Sequence, residues 1–204
     1  MKIIFATANR GKLREAGEIL GEGWELVTPA DMGITEDVEE TGETLLENSL
    51  LKASFINGKT GLDCFADDTG LEVDALGGAP GVHTARYAGE GHDFRANMDK
   101  LLAELGDSPD RSARFRSVVT LIYRGERHFF DGTLEGRIAL SKSGCGGFGY
   151  DPVFIPDEIP SPDGTVVPND EGLTLAEIPE EDKNAISHRG KALRKMALFL
   201  KEGE

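Results

Sequence analysis

CFADDTGLEV, residues 64–73, places two adjacent carboxylates, Asp67 and Asp68, between two short apolar segments. The pattern predicts strands over residues 64–66 and 71–73 with an acidic turn between them. A charge buried without a partner costs several kcal/mol, so a carboxylate pair at a strand end usually serves solvent, a metal ion or a reacting group. The stretch therefore predicts a functional site at the end of a strand.

Strands and helices alternate on either side of this stretch. Asn9, Thr41 and Ser187 are the predicted helix caps. The late strands, joined across Gly125, predict an antiparallel hairpin, and residues 156–172 are expected to form an exposed excursion. We predict strands over residues 2–7, 24–28, 115–123 and 127–133, and helices over residues 9–20, 41–58, 93–105 and from 187 onward. This order predicts a mixed α/β fold whose central sheet is partly antiparallel and flanked by helices.

Composition excludes several classes of protein. The chain has 204 residues, 39% of them hydrophobic, which fits one domain spanning residues 1–204. We expect no membrane association, because no apolar stretch approaches the roughly 20 residues of a membrane helix. The short apolar run that begins at Ile3 is shorter than a signal-peptide core, and the chain has two cysteines, so a reducing cytoplasm is expected.

The net charge of -15 argues against nucleic acid as a partner, because an acidic surface repels polyanions. A small anionic substrate stays possible if a divalent cation and local Lys or Arg residues reverse the potential inside the site.

TANRGK, residues 7–12, places a strand end, a capping Asn and a Lys at the start of a helix. Free backbone N–H groups and the helix dipole attract phosphate at such a position, and Lys12 adds a full charge. The alternative interpretation is an ordinary capped helix, because the segment lacks the P-loop pattern.

Acidic residues near the second predicted helix offer ligands for a hard cation. Mg²⁺ takes oxygen ligands, so Asp67, Asp68 and the EETGE segment with Glu39, Glu40 and Glu43 all qualify. For Glu43 the alternative is a solvated residue that complements the helix dipole. Asp68 is harder to explain by capping, and we interpret it as a metal ligand or a general base.

Two further segments offer groups for a heteroaromatic ring. In GGFGYD, residues 146–151, the glycines allow close approach, Phe148 and Tyr150 offer flat faces, and Asp151 could accept from ring N–H groups. A Gly-rich turn with core aromatics is the alternative. In ISHRG, residues 186–190, His188 and Arg189 begin a helix where the dipole disfavours cations unless an anion or polar ring edge binds there. Motifs of serine, cysteine or zinc hydrolases are missing from the sequence.

Taken together, TANRGK, EETGETLLENSLLKA, FADDTGLEVDALGGAPGVHTARYAG, GGFGYDPVF and KNAISHRGKAL closely resemble the inosine triphosphate pyrophosphatase family. The resemblance runs from residue 3 to about residue 200. It implies an elongated mixed sheet in two lobes with an active-site cleft between them, a homodimer, and Mg²⁺-dependent hydrolysis of ITP, dITP or XTP to the monophosphate and pyrophosphate.

The resemblance also assigns residues to roles. Asp68 would orient or deprotonate the attacking water, Glu39 and Asp68 would bind the metal, and Lys52 would neutralise phosphate charge. The triphosphate would be held by Thr7, Ala8, Asn9, Arg10, Gly11 and Lys12. The nucleoside pocket would comprise Thr69, Phe148, Gly149, Tyr150, Asp151, Lys183, His188 and Arg189.

An ammonium such as Lys183 only donates hydrogen bonds, so it suits a 6-oxo purine and opposes the 6-amino group of adenine. The chain departs from the usual bacterial pattern at Ala8, at Thr69 and in the length of residues 156–172. Two other functions stay open: a pyrophosphatase for modified pyrimidine nucleoside triphosphates, and a nucleotide-sensing protein without turnover.

Overall fold

A mixed sheet organises the chain, as predicted. The computed structural model describes residues 1–36 and 38–202. One sheet has the strand order β2-β1-β3-β4-β5-β6, and a second pairs β7 with β8. β1 is parallel to β2 and β3, whereas β5 and β6 are antiparallel. The strands are β1 (Lys2–Phe5), β2 (Glu25–Val27), β3 (Cys64–Val73), β4 (Ser112–Tyr123), β5 (Glu126–Ile138), β6 (Phe154–Pro156), β7 (Glu158–Pro160) and β8 (Val166–Pro168).

Helix ends follow the local sequence closely. The Asn9 side chain accepts from the backbone N–H groups of Gly11 and Lys12, and the first helix ends at Gly21, whose φ is 72°, so both predicted boundaries are confirmed. Asp93 caps the third helix in the same way. In the described part of the chain, the α-helices are α1 (Arg10–Leu20), α2 (Leu45–Thr60), α3 (Phe94–Leu105), α4 (Glu180–Ile186) and α5 (His188–Glu202).

α2 begins later than predicted. Its N-cap is Thr44 and not Thr41, because Thr44 and Glu47 form a reciprocal capping box that Thr41 cannot form with the residue three positions on. The helix also continues past Gly58 to Gly61, which takes the left-handed conformation with φ 66°.

β3 corrects the prediction of an acidic turn. Residues 64–73 form one continuous strand, with Asp67 and Asp68 inside it and both buried. The turn was predicted because charged residues are unfavourable in a buried strand. The strand persists here because cations from neighbouring helices compensate both charges, as described below.

The predicted hairpin is confirmed, with longer strands. β4 and β5 are neighbours in the sheet and are joined by Arg124 and Gly125, whose φ values of 52° and 84° suit the tight turn that reverses a twisted ribbon.

Other segments also differ from the predictions, and β1 and β2 are shorter than the strands predicted over residues 2–7 and 24–28. Residues 156–172 are mostly exposed but contain the β7–β8 ladder. α4 precedes α5 and was not predicted. Gly81–Arg86 forms a 3-10 turn, which was not predicted.

The chain divides into two compact units, each assembled from separated segments. Unit 1 comprises Met1–Asp68, Ser117–Gly132 and Arg189–Glu204, and unit 2 comprises Thr69–Arg116 and Thr133–His188. A single functional domain over residues 1–204 therefore stays a prediction.

In unit 1 the sheet is covered on both faces. On one face, Ile3, Phe5 and Phe65 pack with residues of α1 and α5. On the other face, Ile4 and Cys64 pack with residues of α2. This two-sided burial explains why β1 is a continuous apolar run, which is typical of parallel strands. In unit 2 a separate core forms around residues such as Leu101 and Phe154.

None of the helices in residues 1–36 and 38–202 combines the length and apolar character that a bilayer-spanning segment requires.

Candidate active site

The side chains of Asp67 and Asp68 lie on opposite faces of β3. Side chains alternate along a strand, so Asp67 shares the face of Phe65, which packs towards α1 and α5, and Asp68 shares the face of Cys64 and Ala66, which packs towards α2. Each carboxylate therefore meets cations from a different set of helices.

Asp67 joins two cations that are far apart in sequence. Lys12 Nζ on α1 lies 3.0 and 2.8 Å from its two carboxylate oxygens, and Arg189 Nε on α5 lies 3.0 Å from Oδ2. Arg189 Nη1 also donates to Glu15 Oε2 at 3.1 Å. The Asp67 side chain is 2% exposed, so these contacts are well shielded from water.

The pKa of Asp67 reflects this compensation. Burial alone raises the pKa, but Lys12 and Arg189 outweigh it and hold the pKa of Asp67 below its ordinary value. Burial lowers the pKa of Arg189, whereas Asp67 and Glu15 raise it, with a net increase. Asp67 is therefore a stable anion that fixes the positions of Lys12 and Arg189.

Asp68 lies in a different electrostatic environment. Lys52 Nζ on α2 lies 3.0 Å from Asp68 Oδ1 and 2.7 Å from Glu40 Oε1, so one ammonium joins two carboxylates. Burial raises the pKa of Asp68, Lys52 opposes this, and the neighbouring Glu40 and Asp67 add to the increase, so that the pKa is raised overall. A buried carboxylate with a raised pKa is a better proton acceptor than an ordinary aspartate and is typical of functional sites.

Glu40, and not Glu39, reaches this group of charges. Glu39 is exposed, and its backbone carbonyl accepts from Thr41. Glu43 is also exposed and donates its backbone N–H to Glu47. Within residues 1–36 and 38–202, no three His, Cys, Asp or Glu side chains are arranged to hold a metal ion by themselves. The assignment of Glu39 as a ligand stays a prediction.

At the start of α1, backbone N–H groups already donate to side chains of the protein. Asn9 Oδ1 lies 2.8 Å from Gly11 N and 3.1 Å from Lys12 N, and Thr7 Oγ1 accepts from Asn9 N at 3.1 Å. Two of the N–H groups predicted to bind phosphate are therefore already capped. A phosphate at this position would displace the Asn9 side chain or bind the side chains around it.

A cavity of about 700 Å³ lies in unit 1 beside these groups. Of the predicted phosphate-binding residues, Thr7, Ala8, Arg10 and Lys52 line it. The segment after β2 and the apolar face of α2, including Phe55 and Ile56, form much of the remaining wall. The structure thus brings together four predicted residues that are separated by up to 45 positions in the chain.

In unit 2, Asp151 organises the Gly-rich loop. Its Oδ2 accepts from Phe148 N at 2.9 Å and from Lys183 Nζ at 3.0 Å. A Cβ on Gly147, whose φ is 82°, would lie 2.2 Å from the same oxygen, so this position requires glycine. Phe148 is 73% exposed, and its ring packs edge-on against Phe94 with centroids 4.3 Å apart. The loop therefore presents an open aromatic ring near a fixed ammonium.

Tyr150 does not offer the stacking face that we predicted. The residue is 2% exposed, and its hydroxyl donates to the Thr84 carbonyl at 2.9 Å. The residue is part of the unit 2 core because Val153 and Phe154, which follow it, pack into the same cluster. Gly149, with φ 64°, provides the turn that directs Phe148 outward and Tyr150 inward.

Of the other residues predicted for the nucleoside pocket, Thr69 and His188 lie in unit 2 and Arg189 lies in unit 1. The His188 ring stacks on Phe115 with centroids 5.2 Å apart, and Thr69 is half-buried in β3. Arg189 contacts Asp67 and Glu15 in unit 1 and therefore belongs to the group of charges around Asp67.

The ion-pair contacts of two acidic residues, Glu15 and Glu40, were not predicted from the sequence. Glu15 carries a helical signal that could have identified it, because it lies one turn after Lys12 on α1. Glu40 was a candidate ligand, but only the fold shows that it shares Lys52 with Asp68.

Comparison with known proteins identifies relatives of this arrangement. The family model of the Ham1 family matches residues 3–199. A protein of Porphyromonas gingivalis named dITP/XTP pyrophosphatase is 50% identical over 200 residues, covering 98% of this chain and 97% of the relative. Another of that name from Christiangramia forsetii is 44% identical over 98% of this chain and 99% of its own. The solved structure of the Staphylococcus aureus Ham1 protein is 36% identical, with a TM-score of 0.87 and full coverage of both chains. This chain therefore belongs to the Ham1 family.

Proposed function

We propose that the chain hydrolyses non-standard purine nucleoside triphosphates, namely ITP, dITP and XTP, to the nucleoside monophosphate and pyrophosphate. The names of the relatives support this substrate class. The observation that carries the proposal is Asp68, a buried carboxylate of raised pKa that is held by Lys52 beside a cavity lined by Thr7 and Arg10.

Asp68 acts in this proposal as the catalytic residue. Its carboxylate accepts a proton from water, or orients that water, for attack at phosphorus. Lys52 donates to Asp68 and so holds the carboxylate in place, and its charge offsets the charge that develops on the phosphates. Thr7 and Arg10 line the cavity and would bind the phosphate tail.

The charges in unit 1 support a role for a divalent cation in this proposal. Lys12, Lys52 and Arg189 contact Glu15, Glu40, Asp67 and Asp68, so the carboxylates outnumber the cations. A bare triphosphate carries several negative charges and would be repelled by this group. A cation bound with the substrate removes that repulsion.

The donor set fits Mg²⁺. This ion uses one or two protein carboxylates and completes its shell with water and substrate phosphates, so a site of three protein ligands is not required. Asp68 would bind the ion together with Glu39 or Glu40. When bound, Mg²⁺ would neutralise phosphate charge and polarise the phosphoanhydride.

For the nucleobase we propose two groups, Phe148 and Lys183. Phe148 offers its exposed ring for stacking, and Lys183, oriented by Asp151, donates to a 6-oxo group. Adenine presents a 6-amino donor at that position and is disfavoured. We also propose a homodimer in the cytoplasm.

The experiment that tests this function is pyrophosphate release from ITP, XTP, GTP, ATP and dTTP with Mg²⁺ and with EDTA. We expect turnover of ITP and XTP that EDTA abolishes and Mg²⁺ restores, and much slower turnover of ATP and dTTP. Preference for a pyrimidine nucleotide, or tight binding of ITP without turnover, would contradict the proposal.

Substitutions of Glu39 and Glu40 form a matched pair of variants that identifies the metal ligand. If Glu40 is the ligand, Glu40→Gln raises the Mg²⁺ concentration needed for half-maximal activity at least about tenfold, the scale of a lost ligand contact, and Glu39→Gln leaves it near the wild-type value. The opposite result assigns the role to Glu39.

A further inference from the structure

The Gly-rich loop of residues 143–151 is hydrogen-bonded to the 3-10 turn Leu175–Glu177 at its first residue and near its centre. Ser143 Oγ donates to Glu177 Oε1 at 2.6 Å, and Gly146 N donates to the Ala176 carbonyl at 3.3 Å. Thr174 Oγ1 donates to the Ser143 carbonyl at 3.0 Å. The turn therefore holds the first half of the loop through Ser143 and Gly146.

Glu177 is the centre of these contacts. Its Oε2 accepts from Thr174 N at 2.9 Å and lies 3.1 Å from Thr174 Oγ1, whose single hydrogen it shares with the Ser143 carbonyl, while Oε1 accepts from Ser143. Hydrogen bonds to an ionised carboxylate are stronger than neutral ones. The hydrogen bond from Ser143, followed by those from Thr174, lowers the pKa of Glu177, so the carboxylate stays ionised at neutral pH.

The loop can approach the turn only because it lacks side chains there. A Cβ on Gly144, whose φ is 77°, would lie 2.8 Å from the Ala176 carbonyl carbon, and one on Gly146 would lie 3.0 Å from the Ala176 oxygen. Two glycines are thus needed for backbone contact with the turn. This close packing leaves the position of the loop dependent on Ala176 and Glu177.

We infer that Glu177 is a positioning residue for nucleobase binding: through Ser143 it fixes the loop that presents Phe148 to the purine. The inference rests on the proposed function, because it assumes that Phe148 and Lys183 contact the base. Glu177 touches neither of them and acts through the backbone of the loop.

Kinetics separate this role from a general loss of structure. Glu177→Ala and Ser143→Ala should each raise KM for ITP about tenfold, the scale of one lost hydrogen bond to a charged group. We expect kcat to stay within about threefold of wild type, because Asp68 lies elsewhere in the chain. The inhibition constant of inorganic tripolyphosphate, which has no base, should not change.

Three variants control the experiment. Ser143→Ala keeps the capping box between Thr174 and Glu177, so an effect on KM cannot come from loss of that cap. Glu177→Gln keeps an acceptor and should restore KM to within about threefold of wild type. Glu171→Ala removes an exposed acid from the same segment and should have no effect. The inference would be overturned if KM for ITP were unchanged in both Glu177→Ala and Ser143→Ala. It would also be overturned if these variants weakened inhibition by tripolyphosphate as much as they raised KM for ITP.

A second readout does not depend on activity. Cys145 is exposed inside the loop, whereas Cys64 is buried, so a nitroxide can be attached to Cys145 alone. Glu177→Ala should sharpen the spectrum of this label, and Glu171→Ala should not. If wild type fails to hydrolyse ITP but the label responds, the proposed function is wrong and the positioning role of Glu177 in the loop stands. An identical spectrum in Glu177→Ala overturns the positioning role.

Discussion

Asp67 and Asp68 are adjacent in the chain, yet their surroundings shift their pKa values in opposite directions. Lys12 and Arg189 hold the pKa of Asp67 below its ordinary value, whereas burial, although opposed by Lys52, raises the pKa of Asp68. The cause is the two-residue period of a strand, which directs each carboxylate to a different set of helices. A neutral isostere should therefore affect the two positions differently.

Asp68→Asn should lower turnover at least about 100-fold, the scale of a lost general base. Stability should be equal to or above that of wild type, because the folded environment disfavours the charge that the substitution removes. Turnover and the denaturation midpoint of the same preparation test both expectations. Near-normal turnover would exclude Asp68 as the catalytic residue.

Asp67→Asn should lower the free energy of unfolding by about 3 kcal/mol, because it leaves two partly buried cations without their shared anion. Denaturant unfolding at pH 7 measures this loss. A change smaller than that caused by Asp68→Asn would contradict the difference between the two environments.

The stability difference between wild type and Asp67→Asn should depend on pH in one direction. Since the folded pKa of Asp67 lies below the ordinary value of 3.8, its contribution is complete above that pH and is lost as the pH falls through the folded pKa. Unfolding curves from pH 6 to pH 3 should therefore show a constant difference that shrinks only at the acidic end. A difference that vanishes already near pH 5 would refute the assigned direction.

Among the elements, α2 shows how a local hydrogen-bond pattern determines a boundary. Thr41 and Thr44 are both acceptable caps by residue type, but only Thr44 has a Glu three positions later. The position of this cap matters for the site, because the segment just before α2 carries Glu40 and the helix itself carries Lys52.

Thr44→Ala should lower the free energy of unfolding by about 1 kcal/mol, as expected for a lost capping side chain. Thr41→Ala is the matched control and should change it by less than about 0.5 kcal/mol, since Thr41 is exposed and lies outside the helix. Urea unfolding of both variants decides between the two caps. An equal loss in both would place the helix start where the sequence alone suggested it.

For the molecule as a whole, the two cysteines report on global unfolding. Burial raises the pKa of the Cys64 thiol to about 12, and Cys145 is exposed. Iodoacetamide at pH 8 should therefore modify Cys145 in the native protein, and Cys64 only at the rate of unfolding. Rapid modification of Cys64 in native conditions, detected by mass spectrometry of peptides, would contradict its burial.

The sequence was sufficient for much of the fold because local signals were strong. Asn9, Asp93 and Gly21 define helix ends by short-range hydrogen bonds and backbone conformation, and Gly125 marks the hairpin. β3 was misread because the rule against charge in buried strands assumes no partner. Its partners, Lys12 and Arg189, come from residues 55 and 122 positions away, respectively.

Residue types and their spacing determined by themselves the class of chemistry: carboxylates, a lysine-bearing helix start and a Gly-rich aromatic loop, in an order that resembles one family. Only the tertiary structure decided which carboxylate is neutralised by two cations and which has a raised pKa, and that Tyr150 is buried while Phe148 is exposed. The reason is physical. Backbone preferences act over a few residues, whereas the electrostatic environment of a side chain depends on charges that only folding brings within a few ångströms.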